Sequence, residues 1–338
     1  MTKNIKQYLY NILFILIVSF IALLVIFKGN FSQLIFLPLY LIVFLLFIAF
    51  IPQFIEAQIL KKFSNLYNKD YTFKDGFINA LIGSFFSGIT PFSSGGQFVQ
   101  VYIFKKQGLS YINASAILLL HFILYQTCLV IYTLFILLFK FHQLSQFYHG
   151  FLSLALFGFL INFCVIVCLY LGATSYKFQL FLTDFILKMA DKFRLIKDYE
   201  NNKRKLEKSL QEFESGLKII RTYPLEMIKI LLLFIIKLTV LYSLPYFIFL
   251  CLGCTISYLD CFAICAFVYL ITGFIPLPGA SGGSEGTFVI LFSAIASSTL
   301  ISSAMFIWRF ITYYFTIFVG CIIFILYIKT SKKGEKLQ

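Results

Sequence analysis

The stretch PFSSGGQ, residues 91–97, interrupts an apolar run at a point where a membrane protein would be expected to continue a helix. A second break, PLPGASGGSEG at residues 276–286, does the same near the other end of the chain. Placing Pro91 on Pro278 sets PFSSGG over PGASGG, so the two breaks share the pattern P-x-x-S-G-G. Each residue type suits a turn at membrane depth: proline ends one half-helix, glycine permits unusual angles and close approach, and serine caps the next half-helix.

Composition sets the surroundings of these turns. With 60% hydrophobic, 20% aromatic and only 12% charged residues, the chain lies outside the range of soluble domains. Its apolar runs match the roughly 20 residues that a helix needs to cross a bilayer. Spans are expected near 8–27, 34–59, 111–139, 150–172, 226–251 and 303–328, with two broken apolar regions at 76–104 and 258–301. The first span follows Lys3 and Lys6 and has no small-residue cleavage site, so it reads as an uncleaved anchor. The expected fold is an all-α polytopic membrane protein of about eight membrane segments.

Basic residues near span ends stay in the cytoplasm. With the N-terminus inside, the cytoplasmic segments collect Lys3, Lys6, Lys61, Lys62, Lys69, Lys74, Lys105, Lys106, the basic residues from Lys177 to Lys229, and the tail from Lys329 to Lys336. Only Lys28 and Lys140 remain outside. The expected location is therefore the plasma membrane, multi-pass, with both termini cytoplasmic. The formal charge of +14 is mostly this bias together with attraction to an anionic inner leaflet. No basic soluble domain exists to carry nucleic-acid binding.

Region 76–104 starts after Lys74 and ends before Lys105, so both ends are cytoplasmic and PFSSGGQ is the turn between them. By the same bookkeeping both ends of 258–301 are external. Two hairpins carrying one motif from opposite faces are the signature of an inverted-topology repeat with discontinuous helices meeting near the midplane. The halves are 1–172 and 226–338, joined by a cytoplasmic linker at 173–225, all within one membrane domain of residues 1–338. Half-helix N-termini would turn N–H groups and partial positive charge into the cavity between the halves, a good environment for phosphate. Ordinary polar loops at tight bends are the alternative reading of both breaks.

The segments GITPFSSGGQFVQVYIFKKQGLS (88–110), FIPLPGASGGSEGTF (274–288) and WRFITYY (308–314) resemble the membrane region of the lysylphosphatidylglycerol synthase/flippase family, and the resemblance covers essentially the whole chain. It implies movement of a lipid, an aminoacylated phosphatidylglycerol in particular, between leaflets, with a contribution to membrane charge and to resistance against cationic antimicrobials. Full-length members add a soluble domain that transfers lysine from lysyl-tRNA to phosphatidylglycerol. Only Lys329 to Gln338 follow the last expected span, so that domain and its lysyltransferase activity are not expected here.

Ionisable groups inside spans are functional candidates by default. Lys237 lies about eleven residues into its span, roughly 16 Å deep at the helical rise. Arg309 lies about one and a half turns into the last span, and Glu285 directly follows the second turn. A guanidinium can hold phosphate oxygens bidentately, whereas an ammonium acts as a point charge. The candidate headgroup cavity therefore comprises Ser94, Gly95, Gly96, Gln97, Gln100, Lys237, Ser281, Gly282, Gly283, Glu285 and Arg309. In one reading Lys237 and Arg309 attract a lipid phosphate while Glu285 balances them or receives a cationic headgroup. In the other, Glu285 makes a buried ion pair with Arg309 or Lys237 that merely holds the hairpin.

Weaker candidates surround these. Glu56, near the cytoplasmic end of its expected span, is read as snorkelling to the interface, and Asp260 as solvated at the external boundary. His121 and Gln126 point to an interhelical hydrogen bond ahead of a proton relay. His142 and His149 give no metal spacing, and the eight cysteines read as small buried thiols, with Cys251 and Cys254 lacking any second pair for zinc. Neither a G-x-x-x-x-G-K-[ST] loop nor a G-x-S-x-G elbow occurs, so no catalytic residue, metal or cofactor is assigned. Within 173–225, Leu206, Leu210, Phe213, Leu217 and Ile220 recur at helical spacing, as do Phe178, Leu182, Phe185, Met189 and Phe193. They read as amphipathic helices on the anionic leaflet or beneath the bundle, or else as a solvated linker.

The function these residues favour is translocation of an anionic or aminoacylated phospholipid. Two alternatives stay open: the membrane part of a phosphatidylglycerol lysyltransferase system with a separately encoded catalytic partner, and a small-solute transporter. The expected partners are phospholipid and membrane, with homo-oligomerisation left open.

Overall fold

A computed structural model describes residues 38–147, 151–175, 222–273 and 275–335, with scattered residues between 177 and 188. The expected span at 8–27, His149 and most of the linker 173–225 with its two periodic sets lie outside the described residues.

Among the described residues every regular element is helical. In chain order these are α1 (Leu39–Ser64), α2 (Phe73–Ile89), α3 (Ser94–Lys106), α4 (Tyr111–Phe147), α5 (Phe151–Thr174), α6 (Pro224–Cys251), α7 (Tyr258–Thr272), α8 (Gly283–Phe292), α9 (Ser298–Arg309) and α10 (Phe315–Glu335). Short 3-10 turns, Pro91–Ser93 and Pro278–Ala280, stand before α3 and α8, and a π turn, Phe310–Tyr314, joins α9 to α10. The four runs long and apolar enough to cross a membrane are Leu39–Ser64, Tyr111–Lys140, Pro224–Cys251 and Ser298–Thr330. Two shorter apolar helices run over Leu156–Gly172 and Tyr258–Thr272.

Local chemistry explains several boundaries. Thr72 and Asp75 form a reciprocal capping box that opens α2 after the polar loop. Pro224 starts α6, where its missing N–H costs nothing, and Glu226 follows in the first turn. Lys61 and Lys62 close α1, and Lys105 and Lys106 close α3, each placing positive charge at the negative end of a helix.

Two boundaries differ from the sequence expectation. α1 runs on to Ser64 rather than stopping near 59, because Lys61 and Lys62 are accommodated in its last turn. The last crossing begins at Ser298 rather than 303, so residues 298–301 belong to it and not to the second broken region. Arg309 consequently lies about three turns into that crossing at 3.6 residues per turn.

α1 packs against α2 and α6, and α2 also packs against α10, which encloses the first broken region. The main core is aromatic and aliphatic, with Phe234, Leu238, Tyr242, Phe249, Phe267 and Phe288 fully buried. Large apolar side chains such as Phe47, Leu138, Phe139 and Phe318 stay exposed on the outside, where lipid tails would be as apolar as the residues themselves.

The correspondence between the two breaks extends outward. With Pro91 on Pro278, α1 falls on α6, α2 on α7, α3 on α8, and the start of α4 on the start of α9, in one unbroken register. The backbone of the turns matches as well. Phe92 (φ 54°, ψ 16°) corresponds to Gly279 (φ 58°, ψ 20°), and both Ser93 and Ala280 are left-handed.

Candidate functional site

The two P-x-x-S-G-G turns pack directly against each other. They do so because neither continues its helix. Thr90 and Leu277 are extended, the prolines end the preceding arm, and two successive left-handed residues reverse the chain. In each turn the serine hydroxyl donates to the proline carbonyl at 2.9 Å, Ser94 to Pro91 and Ser281 to Pro278. The Gly95 N–H donates to Thr90 Oγ1 at 2.9 Å, while the equivalent Gly282 N–H donates to Glu285 Oε2 at 2.6 Å.

Beside the paired turns lies a cavity of about 630 Å³. Its wall takes Ser94, Gln97 and Gln100 from the first turn and α3, Gly279, Ala280 and Ser284 from the second turn and α8, and the charged residues Glu56, Lys237 and Arg309. Two charged clusters therefore face one space. Burial of this many polar groups within an apolar bundle is costly unless each is paired.

The first cluster joins three helices. Glu56 on α1 holds Lys237 Nζ on α6 through Oε2 at 2.7 Å, and His121 Nε2 on α4 through Oε1 at 2.6 Å. The ammonium also stands 5.8 Å from the centre of the Tyr125 ring, and the His121 imidazole packs edge-on against Phe234. Glu56 does not snorkel: it is 8% exposed, because the extra turns that α1 gains beyond residue 59 carry it inward. Lys237 accordingly pairs with Glu56 and not with Glu285.

The second cluster ties the second turn to the last crossing. Arg309 Nε donates to Glu285 Oε1 at 2.6 Å, and Nη2 donates to the Gly279 carbonyl and, at 3.4 Å, to Ser281 Oγ. The guanidinium lies over the Tyr313 ring, 4.3 Å from its centre, and Tyr313 Oη donates to the Gly88 carbonyl of α2 at 2.9 Å. Glu285 and Arg309 are both nearly fully buried. One carboxylate thus caps α8 and fixes the guanidinium, and the guanidinium in turn closes the second turn onto the first broken region.

The sequence candidates divide by position. Ser94, Gln97, Gln100, Lys237 and Arg309 face the cavity, whereas Gly95, Gly96, Ser281, Gly282, Gly283 and Glu285 stand behind its surface as turn and support. Gly96 lies so close to α2 that an added Cβ would meet Ser87 Oγ at 1.9 Å and the Gly83 carbonyl at 2.5 Å. Sequence reasoning omitted Glu56 and His121 from the site. A carboxylate within an apolar run was the available signal, and the placement of the span end obscured it. Asn162 on α5 also reaches the wall, donating to the Gly158 and Leu270 carbonyls at 2.7 and 3.3 Å. Asp260 is not simply solvated, since it pairs with Lys140 at 3.0 Å, and neither residue lines the cavity.

Among the described residues no group of three or more His, Cys, Asp or Glu side chains is arranged to hold a metal, and the eight cysteines are free. What the wall offers chemically is two cations, a set of amide and hydroxyl groups, and one carboxylate, Glu56, with Glu285 behind Arg309. It suits recognition of a phosphate-bearing group by charge-assisted hydrogen bonds.

Comparison with curated proteins and with solved structures finds no match for this chain. The family model for the lysylphosphatidylglycerol synthase TM region matches residues 11–320, a stretch that takes in both turns and every charged residue of the cavity. The chain is a membrane protein of the family described as the lysylphosphatidylglycerol synthase TM region.

Proposed function

We propose that the protein moves an anionic or aminoacylated phospholipid, of the phosphatidylglycerol or lysylphosphatidylglycerol type, between membrane leaflets. The headgroup passes through the cavity, and the acyl tails stay in the bilayer. The observation that carries this reading is the meeting of two broken helices beside a cavity whose wall holds Arg309 and Lys237. Irregular backbone at membrane depth is tolerated where it lines a polar space, and paired broken helices are how transporters build a site open in turn to each side. In this reading α2–α3 and α7–α8 are re-entrant hairpins entering from opposite faces, the termini are cytoplasmic in the plasma membrane, and the two sets of matched helices rock against each other. Arg309 and Lys237 receive the phosphate, while Ser94, Gln97 and Gln100 hydrogen-bond the polar remainder. Glu285 holds Arg309 in place. Gly95, Gly96, Ser281, Gly282 and Gly283 shape the turns.

The test is leaflet exchange in proteoliposomes, following fluorescent phosphatidylglycerol and its lysyl derivative with a membrane-impermeant quencher. Wild type is expected to speed exchange. Arg309→Lys keeps a cation beside Glu285 but loses the planar fork, and is expected to slow exchange about tenfold or more, in line with the 1.5–3 kcal/mol of a charged hydrogen bond. Exchange by wild type no faster than in empty liposomes, with every lipid tried, overturns the reading.

A further inference from the structure

The Glu56–His121–Lys237 cluster lies in the cavity wall on α1, α4 and α6, and recognition of an anion by Arg309 makes no use of its carboxylate. Its geometry has a definite consequence. Lys237 is already neutralised by Glu56 at 2.7 Å, so a phosphate drawn to the ammonium as its counter-ion competes with the carboxylate for it. An unpaired buried carboxylate beside a bound anion would carry two negative charges in a space of low dielectric. Its other oxygen is 2.6 Å from His121 Nε2, a ring nitrogen that can pass a proton to it.

We propose that Glu56 and His121 form a proton site coupled to the anion site, so that each anionic headgroup crosses together with one proton. This rests on the translocation reading for the anion's passage, though not for its binding. On entry, a phosphate oxygen replaces Glu56 Oε2 at the Lys237 ammonium; His121 takes a proton from water at Nδ1 and gives up the one on Nε2, whose N–H bond breaks as an O–H bond forms at Glu56 Oε1. On release, the proton returns to water on the other side and Glu56 re-forms its ion pair. No covalent bond of the lipid changes. One negative charge and one proton move together, and the buried space keeps its net charge throughout.

The groups packed around Glu56 support the assignment. α4 brings His121 and Tyr125, and α6 brings Lys237. The π turn brings Tyr313 and Tyr314, and Arg309 stands at its start, held by Glu285. Further along α1, Lys62 is engaged by Glu226 of α6 at 3.2 Å, and Lys61 lies in the last turn. The ionisable residues of α2, Lys74 and Asp75, are in its first turn, and the side chains with polar atoms that α2 sets into the wall are Ser84 and Ser87. Among the described residues, Glu56 is thus the carboxylate that faces the cavity directly.

The chemistry fits a phosphodiester monoanion whether it is carried on a lipid or free, and the test separates the two. Purified full-length protein in weakly buffered detergent is titrated with dioctanoyl phosphatidylglycerol or with dimethyl phosphate, proton uptake is read from an indicator dye, and affinity is measured over pH 5 to 8. The expected result is close to one proton taken up per anion bound, with affinity rising up to tenfold for each unit fall in pH, as linkage requires. Glu56→Gln is expected to abolish both effects. Should that variant fail to fold, the wild-type stoichiometry and pH slope decide by themselves. Anion bound with no proton uptake and no pH slope overturns the proposal, as does binding of neither anion. Leaflet exchange unaffected by an imposed pH gradient overturns coupling and leaves translocation standing. Proton uptake without leaflet exchange leaves the coupled site and removes translocation. Uptake with dimethyl phosphate and none with the lipid keeps the proton site and makes the cargo a soluble anion.

Discussion

The two P-x-x-S-G-G turns have the same backbone and almost the same internal bonds, yet they are supported differently. The first is held from upstream by a neutral hydroxyl, Thr90, and its Phe92 and Ser93 accept left-handed geometry without glycine. The second is held from downstream by Glu285, which is buried and engaged by Arg309. A shared motif therefore specifies a shape, while the charge that gives one copy its chemistry comes from residues outside the motif. Phe98 is the first-half counterpart of Glu285 and is exposed, so the first turn has no ion pair of its own. Its side of the cavity receives charge instead from Glu56, His121 and Lys237.

Six substitutions would break or sharpen this contrast. The largest effect is expected for Arg309→Ala, which leaves Glu285 buried without its cation at a cost of about 3–5 kcal/mol, read as a lowered midpoint of thermal unfolding in detergent. No neutral change in the first turn should approach it. Next comes Gly96→Ala against Gly283→Ala, at equivalent positions. The Cβ at 96 meets the Gly83 carbonyl as well as Ser87, so about 1–3 kcal/mol is expected, whereas at 283 it meets the movable end of Ile275 at 2.1 Å and should cost less. Equal costs would mean that the first hairpin is not packed more tightly than the second.

Thr90→Val removes the acceptor for the Gly95 N–H and should cost about 1 kcal/mol, the usual worth of a cap, by the same unfolding measurement. The smallest effect is expected at Phe92, the exposed left-handed residue of the first turn. Phe92→Gly relieves a side chain at φ 54° and should change stability by about 1 kcal/mol or less. Gly279→Ala does the reverse, because its Cβ would meet the Tyr313 ring at 2.1 Å. A Gly279→Ala protein as stable as Phe92→Gly would show that the Tyr313 ring yields freely.

Much of the architecture was legible along the chain. Apolar runs of bilayer length, the two breaks and their common register are one-dimensional signals, and the turns that resulted match residue for residue. Arg309 and Glu285 were identifiable because a charge within or beside an apolar run is expensive wherever it folds. The sequence left Glu285 to pair with either Arg309 or Lys237, and in the structure its partner is Arg309. Glu56 was misplaced for a physical reason: two lysines in the last turn of α1 looked like the end of a span, yet helices end where backbone bonding ends and not where charge begins.

The sequence by itself determined that the chain is a helical membrane protein, that it carries two related breaks, and which cations would be costly to bury. Hydropathy, turn chemistry and desolvation depend on residue type and near neighbours, so they can be read without a fold. Only the tertiary structure decided that the two turns touch, that Lys237 answers to Glu56 across 181 residues, and that His121 reaches the same carboxylate across 65. Ion pairing falls off within a few ångströms, and which helices come that close is set by the packing of whole faces, a property that no local stretch of sequence contains.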